Sequence, residues 1–367
     1  MKNLFKVNSE SLLKAIKKTN KIKLSATLDY LNGVHFDLKG NDLSVRRTDL
    51  ETDIILNIDV AKDIDSEESA SFLINYELLE KGLSTLKNEE ISVFMNNLVI
   101  VFKHSKGTFE IATMTENLFP RLNNDDFQNQ TVIDAKTLSD ILLSSEKFTG
   151  NDPLRASMMG VYLESKEKDL KFVATNGHVL ILSKIKLDLE KEFNVLLPKS
   201  SIPAITNLIE PGVDNLIMSF NNQTLKFEIN KSVIYSRLIN GKFPNYESVI
   251  PKEFVSVIKV QKDELINSLN RIKWALPNTK KVLFEKIYNE LNISCLDIDF
   301  AKSAIVNCPF ILFNGDAISK TFSHELFLNC IKAIDSKIVN INITDGNRAI
   351  IINSDDSENF TLLMPLL

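Results

Sequence analysis

One hydrophobic pattern occurs three times along this chain. VNSESLLKAI begins at Val7, IDAKTLSDIL at Ile133 and VQKDELINSL at Val260. Each reads as an apolar residue, four further positions, a leucine, three positions, then isoleucine or leucine. The leading positions lie 126 and then 127 residues apart. Apolar residues four apart share one face of a helix, so each stretch predicts an early amphipathic helix.

Two further landmarks keep step. GVHFD from Gly33 matches GVYLE from Gly160, 127 residues on, and KVLFE from Lys281 follows after another 121. FMNNLVIVF from Phe94 matches FNNQTLKFEI from Phe220 at an offset of 126, and ITDGNRAIII from Ile343 follows 123 later. In this last set Asn-Asn or Asp-Gly sits between alternating apolar residues, which predicts a hairpin turn with positive φ. Three landmarks in one order at nearly one spacing define an internal repeat. We place the copies at 1–125, 126–253 and 254–367, with the turn-rich NGKFPNYESVIPKEF (240–254) at the second junction. Second helices are predicted in YELLEKGLSTLK, SIPAITNLI and SHELFLNCIKAI. The expected fold class is α+β: three tandem copies of one domain, each with two helices and a largely antiparallel sheet.

The polar side of the first helix is basic. Measured from Leu12, Ile16 falls at about 40° and Leu13 at about 100°, which defines the core face. Lys14, Lys17, Lys18 and Lys21 fall between about 140° and 240°, away from it. With Lys23, the span Asn8–Lys23 holds five lysines against one glutamate, in a chain of net charge −5. In the third copy Arg271 lies off the core face, with Lys280 and Lys281 close behind. In the second, Lys136 and Lys147 share a side, with Asp140 between them. One such stripe is ordinarily a solvated face. Corresponding stripes in an acidic chain point instead to a polyanion, and duplex DNA offers one negative charge per ~1.7 Å of axis.

Composition removes several alternatives. At 44% hydrophobic and 25% charged, the chain is an ordinary folded protein. No apolar run approaches the ~20 residues that cross a bilayer, and MKNLFKVNSE has no signal-like apolar stretch, so no membrane and a cytoplasmic location are expected. Cys295, Cys308 and Cys330 lack CxxC spacing and are expected to be buried thiols. His35, His104, His178 and His324 form no HExxH, and no GxSxG, Walker loop or GxGxxG is present. No catalytic residue, metal or cofactor is expected.

Three blocks carry a family resemblance: GVYLE with LKFVATNGHVL (160–180), SRLINGKFPNYESVIP (236–251) and the C-terminal FTLLMPLL (360–367). With the threefold repeat, they resemble the bacterial β sliding clamp, the processivity subunit of DNA polymerase III, over the full length. The family's usual forms are VATDGHRL-like, GRFPDY-like and a terminal MPL or MPM. The resemblance implies a homodimer, closed head to tail into a six-domain ring with helices lining the hole and sheets outside. It implies that the basic stripes face duplex DNA without reading its sequence, and Lys199 is assigned to the same face. The implied protein partners are the replicative polymerase, the clamp loader and repair proteins, each held through a short peptide motif.

Carried over residue by residue, the implied peptide cleft takes Met158, Thr175, Gly177, His178 and Leu180 from in and around the first block. Pro244 and Val249 come from the second; Leu362, Met364, Pro365 and Leu366 come from the third. Methionine and leucine make an adaptable apolar pocket, Gly177 permits close approach, and Thr175 and His178 offer rim hydrogen bonds. The implied ring seam sets Phe109 and Ile111 of TFEIAT against Trp274, Ala275 and Leu276 of WALPN. Departures from the family pattern are Val179, Ser248 and Ser25, each where relatives commonly carry arginine; they bear on peptide preference and one DNA contact. Two other readings stand beside this one. A scaffold that has lost DNA binding is opposed by the lysine stripe, and an enzyme at Thr175–His178 lacks a second catalytic group.

Overall fold

The computed structural model describes residues 2–61, 69–120, 127, 129–187 and 192–366. The expected boundary at 125/126 and the terminal Leu367 lie outside them. The first copy runs β1 (Lys2–Asn8), α1 (Ser9–Lys18), β2 (Gly33–Lys39), β3 (Asp42–Thr48), β4 (Thr52–Asp59) and β5 (Ala70–Asn75). It continues with α2 (Tyr76–Ser84), β6 (Glu90–Asn96), β7 (Val99–His104) and β8 (Gly107–Ala112). The second has β9 (Asn129–Asp134), α3 (Ala135–Glu146), β10 (Gly160–Lys166), β11 (Asp169–Thr175), β12 (Val179–Lys186) and β13 (Phe193–Pro198). Then come α4 (Ile202–Leu208), β14 (Asn215–Phe220), β15 (Thr224–Ile229) and β16 (Ser232–Arg237). The third has β17 (Ser256–Gln261), α5 (Lys262–Ile272), β18 (Lys281–Ile287), β19 (Glu290–Asp297), β20 (Lys302–Pro309) and an inserted β21 (Leu312–Gly315). It ends with β22 (Ser319–Ser323), α6 (His324–Ala333), β23 (Ile338–Ile343), β24 (Ile350–Ser354) and β25 (Ser357–Leu363). Apart from β21, one order of elements occurs three times, and the class is α+β.

The repeated pattern has a local cause. Its apolar leader closes a strand, and the next residue takes the N-cap position. Asn8 Oδ1 accepts from the N–H groups of Glu10 and Ser11, and Asp134 Oδ1 accepts from Thr137 N–H, so otherwise unpaired helix donors are satisfied. Gln261 occupies the same place without a side-chain cap; Asp263 and Glu264 in the first turn favour that helix through its dipole instead. The expected helix face is correct at Leu12 and Ile16, both fully buried, each contributing about 1.5–3 kcal/mol by burial. Leu13 is only half-buried. Two of the three predicted hairpins turn at positive φ, at Asn97 (52°) and Gly346 (59°). The third does not: Asn221 Oδ1 accepts from the N–H groups of Gln223 and Thr224, a side-chain turn that needs no left-handed residue.

Two compact units emerge, Met1–Asp140 with Leu197–Leu238, and Ile141–Leu196 with Ile239–Leu367. The first holds the four-stranded sheet β1-β6-β7-β8 and the eight-stranded sheet β5-β2-β3-β4-β16-β15-β14-β9. Here β4 of the first copy pairs antiparallel with β16 of the second, from Leu56↔Ser232 to Thr52↔Ser236. The second unit holds β13-β10-β11-β12-β25-β24-β23-β17-β21 and the four-stranded β20-β19-β18-β22. There β12 pairs with β25, from Val179↔Leu363 to Leu182↔Phe360. In both joins, the third strand after a copy's first helix meets the last strand of the next copy. The two strands left over by this rule, β20 and β8, are sheet edges.

The three cysteines are buried free thiols, as expected, and burial pushes Cys330 up to about 12, far from a reactive thiolate.

Candidate peptide cleft and basic face

KFVATNGHVLIL forms β11, a turn and β12. Asn176 Oδ1 accepts from the N–H groups of His178 (2.9 Å) and Val179 (3.1 Å), which closes the turn. The Thr175 hydroxyl donates to the Val179 carbonyl at 2.6 Å and accepts from Gly177 N–H at 3.1 Å. That hydroxyl is spent inside the turn, so it is not the rim donor expected from the sequence. Gly177 takes φ of 90°, and the nearest atom to an added Cβ is Arg155 Nη1 at 3.7 Å, so space is no obstacle. The backbone conformation is. Gly177→Ala is expected to lower stability by about 1–2 kcal/mol, read as a reduced thermal midpoint with unchanged far-ultraviolet circular dichroism.

The other predicted cleft residues lie in the second unit. Leu180 pairs with Leu362, and both are buried in one cluster with Val173, Phe243 and Tyr246. Met158 ends the 3-10 segment Pro153–Met158, which is kinked at Arg155, and is half-buried, as is Pro244. Val249 and Met364 are the accessible apolar side chains, 54% and 37% exposed. The tail is tied at two points: Met364 N–H donates to the His178 carbonyl at 2.9 Å, and Leu366 N–H to the Thr321 carbonyl at 2.8 Å. Pro365 and Leu366 are half-buried between those ties and the chain end. His178 is exposed and holds the tail through its backbone.

Sequence reasoning missed two supports. Tyr246 donates its hydroxyl to Glu164 Oε2 at 2.7 Å, and Lys171 Nζ lies 3.4 Å from the same oxygen. Burial, then the Glu164 hydrogen bond and charge, hold the Tyr246 hydroxyl well above its ordinary value, so it stays a donor. Tyr162 stacks on Phe243 at 4.8 Å. Together these anchor the Phe243–Tyr246 segment; Glu164 and Tyr246 both lie in the quoted blocks, so the signal was present. Arg155, in contrast, stands beside Gly177 with no pattern to announce it, and brings a guanidinium to a turn where Val179 is buried.

On the basic face, Lys14 and Lys17 are exposed and Lys18 is half-buried. Lys14 and Lys18 each lie 3.0 Å from Glu210 Oε1, and Lys17 lies 3.5 Å from Glu80. The two lysines hold the Glu210 carboxyl below its usual range. The stripe is therefore partly neutralised by carboxylates remote in sequence. α1 ends at Lys18, so the helical projection does not extend to Lys21, in the following 3-10 turn, or to Lys23 beyond it; both are exposed. Lys136 and Lys147 are exposed at the two ends of α3, Lys199 is half-buried just before α4, and Arg271 is exposed in the last turn of α5. Lys280 and Lys281 do not continue that helix: Lys280 sits in a turn at φ 51°, 2.9 Å from Glu325, and Lys281 opens β18.

The expected seam residues mostly face inward. Phe109 stacks on Phe102 at 4.7 Å and packs over Gly82, while Ile111 and Ala275 are buried. Leu276 is half-buried, and Trp274 alone of the five is open, at 67%. The reason is strand alternation: Phe109 and Ile111 are the core-facing positions of β8, and Thr108, Glu110 and Ala112 the exposed ones. On the other free edge, β20, Ile305 is 68% exposed.

Three copies of a two-helix unit, joined through shared sheets and leaving β8 and β20 unjoined by the rule that joins the others, define a repeat protein whose copies continue one another. A family model described as the DNA polymerase III beta subunit, N-terminal domain, matches residues 3–123, and one for the central domain matches residues 130–245. The chain is 22% identical to the Beta sliding clamp of Haemophilus influenzae, over 99% of each chain, and 19% identical to that of Bacillus subtilis, again over 99% of each. Its fold matches the crystal structure of the DNA polymerase sliding clamp from Bacillus subtilis with a TM-score of 0.94 at 18% identity, covering 100% of both chains. It matches the DNA polymerase III beta subunit from Thermotoga maritima with a TM-score of 0.90 at 20% identity, over 99% of each. The chain belongs to the bacterial DNA polymerase III beta subunit family, the beta sliding clamps.

Proposed function

We propose that this protein is a cytoplasmic, non-enzymatic DNA sliding clamp. Three domains, at 1–125, 126–253 and 254–367, pair with three from a second copy to encircle duplex DNA. The cleft around Leu180, Leu362 and Met364 takes short peptides of the polymerase, the clamp loader and repair proteins. The observation that carries this reading is the joining rule. β4 meets β16 and β12 meets β25, so the next join in the series is β20 of one chain with β8 of another. Repeating a heterologous contact closes a ring when the rotation permits, and closure covers the β8 and β20 edges. Family membership supports the same assembly.

The lysines of α1 supply phosphate contact without base readout, so affinity for DNA is expected to be weak and to fall with salt. Replacing Lys14, Lys17 and Lys18 together by glutamine is expected to lower retention on DNA and flatten its salt dependence, with the chain still folded. The decisive assay is topological: the loaded clamp stays on closed circular plasmid and is lost when the plasmid is cut. Loss from both forms alike would leave the interaction-scaffold reading in its place.

A further inference from the structure

A groove of about 400 Å³ on the first unit is lined by Leu13, Lys14, Lys17, Lys18, Asn207 and Glu210, with Glu10 at its side. Asn207 Nδ2 donates to the Lys18 carbonyl at 3.1 Å, which fixes the end of α4 against the end of α1. The following turn is closed by Val213 N–H on the Glu210 carbonyl at 3.1 Å. Glu210 is thereby held with one oxygen, Oε1, 3.0 Å from both Lys14 Nζ and Lys18 Nζ. An anionic oxygen shared by two ammonium groups is also how a phosphate oxygen is bound. The carboxylate and Lys14 are open to solvent, with side chains 39% and 65% exposed, so the arrangement can exchange partners without unfolding.

We propose that Glu210 is a resident stand-in for a DNA phosphate, occupying the Lys14–Lys18 pair when DNA is absent and displaced when the backbone arrives. This rests on the reading that α1 faces DNA. Glu210 then sets how weakly the clamp holds the duplex: each phosphate that engages this pair must first expel a carboxylate already satisfied there. The same competition favours sliding, because a lysine leaving one phosphate has a partner at hand before it meets the next. In a dimeric ring the device occurs twice, by symmetry.

The test uses the full-length dimer and a short fluorescent linear duplex onto which a ring can thread, titrated across a salt series. Glu210→Gln is expected to bind several-fold more tightly at low salt. The slope of log affinity against log salt is expected to steepen by about 1–2, since each engaged phosphate contributes roughly 0.9. Lys14→Gln/Lys18→Gln is expected to weaken binding, and adding Glu210→Gln to that pair is expected to change nothing further. If the double lysine variant weakens binding while Glu210→Gln leaves it unchanged, the Glu210 inference falls and the DNA-facing reading stands. If neither changes binding, α1 does not face DNA and both fall. An equal gain from Glu210→Gln with and without the lysines also overturns the proposal, because the effect is then only net charge. Sedimentation of each variant as the parental dimer confirms that folding is not the variable.

Discussion

Replacing Ile305 with aspartate is expected to turn the dimer into monomer. Ile305 stands on β20, an unpaired edge, and is 68% exposed in the single chain, so the substitution removes nothing from the chain's own core. In the proposed ring the same position is covered by the partner's β8. An uncompensated charge buried there costs roughly 3 kcal/mol at each seam. A two-chain ring has two identical seams, so the total is about 6 kcal/mol, or roughly four orders of magnitude in dimer dissociation. Sedimentation velocity reads the result, with thermal unfolding as the control for the folded monomer. Leu276 is a less clean position, since it is half-buried beside the fully buried Ala275 and a charge there also disturbs the internal packing. A variant at Ile305 that dimerises like the parent removes β20 from the seam.

Deleting residues 364–367 is expected to cut peptide binding at least 100-fold while the dimer and its retention on DNA persist. The cut has to begin at Met364. Leu363 is fully buried and pairs with both Val179 and Ile350, so a deletion that includes it disrupts the nine-stranded sheet itself. Beyond it, Met364 and Leu366 are held by backbone hydrogen bonds to His178 and Thr321, and their loss leaves the sheet register in place. The ligand is a short peptide with glutamine followed by leucine and an aromatic residue, followed by calorimetric titration. Met364→Ala, which removes one anchor wall, is expected to cost about 1–3 kcal/mol of binding. His178→Ala is expected to cost much less, because its tie to the tail runs through the backbone carbonyl, which alanine keeps. Parental affinity in both the deletion and Met364→Ala would dismiss this surface as the peptide site.

Much of the fold was legible because its signals are short-range. The leader–cap–leucine pattern needs only neighbours within one helical turn, and it located α1, α3 and α5 correctly. The turn at Asn97 and the one at Gly346 followed from residue types that tolerate positive φ. The blocks around Thr175, Phe243 and Leu362 named a set that the chain brings partly into one cluster. Legibility failed where a local rule was carried past its element. Lys21 was projected on a helix that ends at Lys18. Thr175 was taken for a rim donor because its hydroxyl's partner, the Val179 carbonyl, is invisible until the turn is built.

By itself the sequence determined the threefold repeat, the two helices of each copy, and the lysine-bearing face of the first of them. Periodicity and capping act between residues a few positions apart, so they survive in the linear text. Tertiary structure alone decided which strands join the copies, since Leu56 meets Ser232 and Val179 meets Leu363 across many intervening helices and strands, a pairing that no local pattern specifies. It also decided that Phe109 and Ile111 point into the core, because strand alternation fixes only that neighbours face opposite ways and packing selects the side. It alone placed Glu210 between Lys14 and Lys18. Charge pairing depends on distance in space, and the fold brings that carboxylate across nearly two hundred residues to the one helix whose charge it tempers.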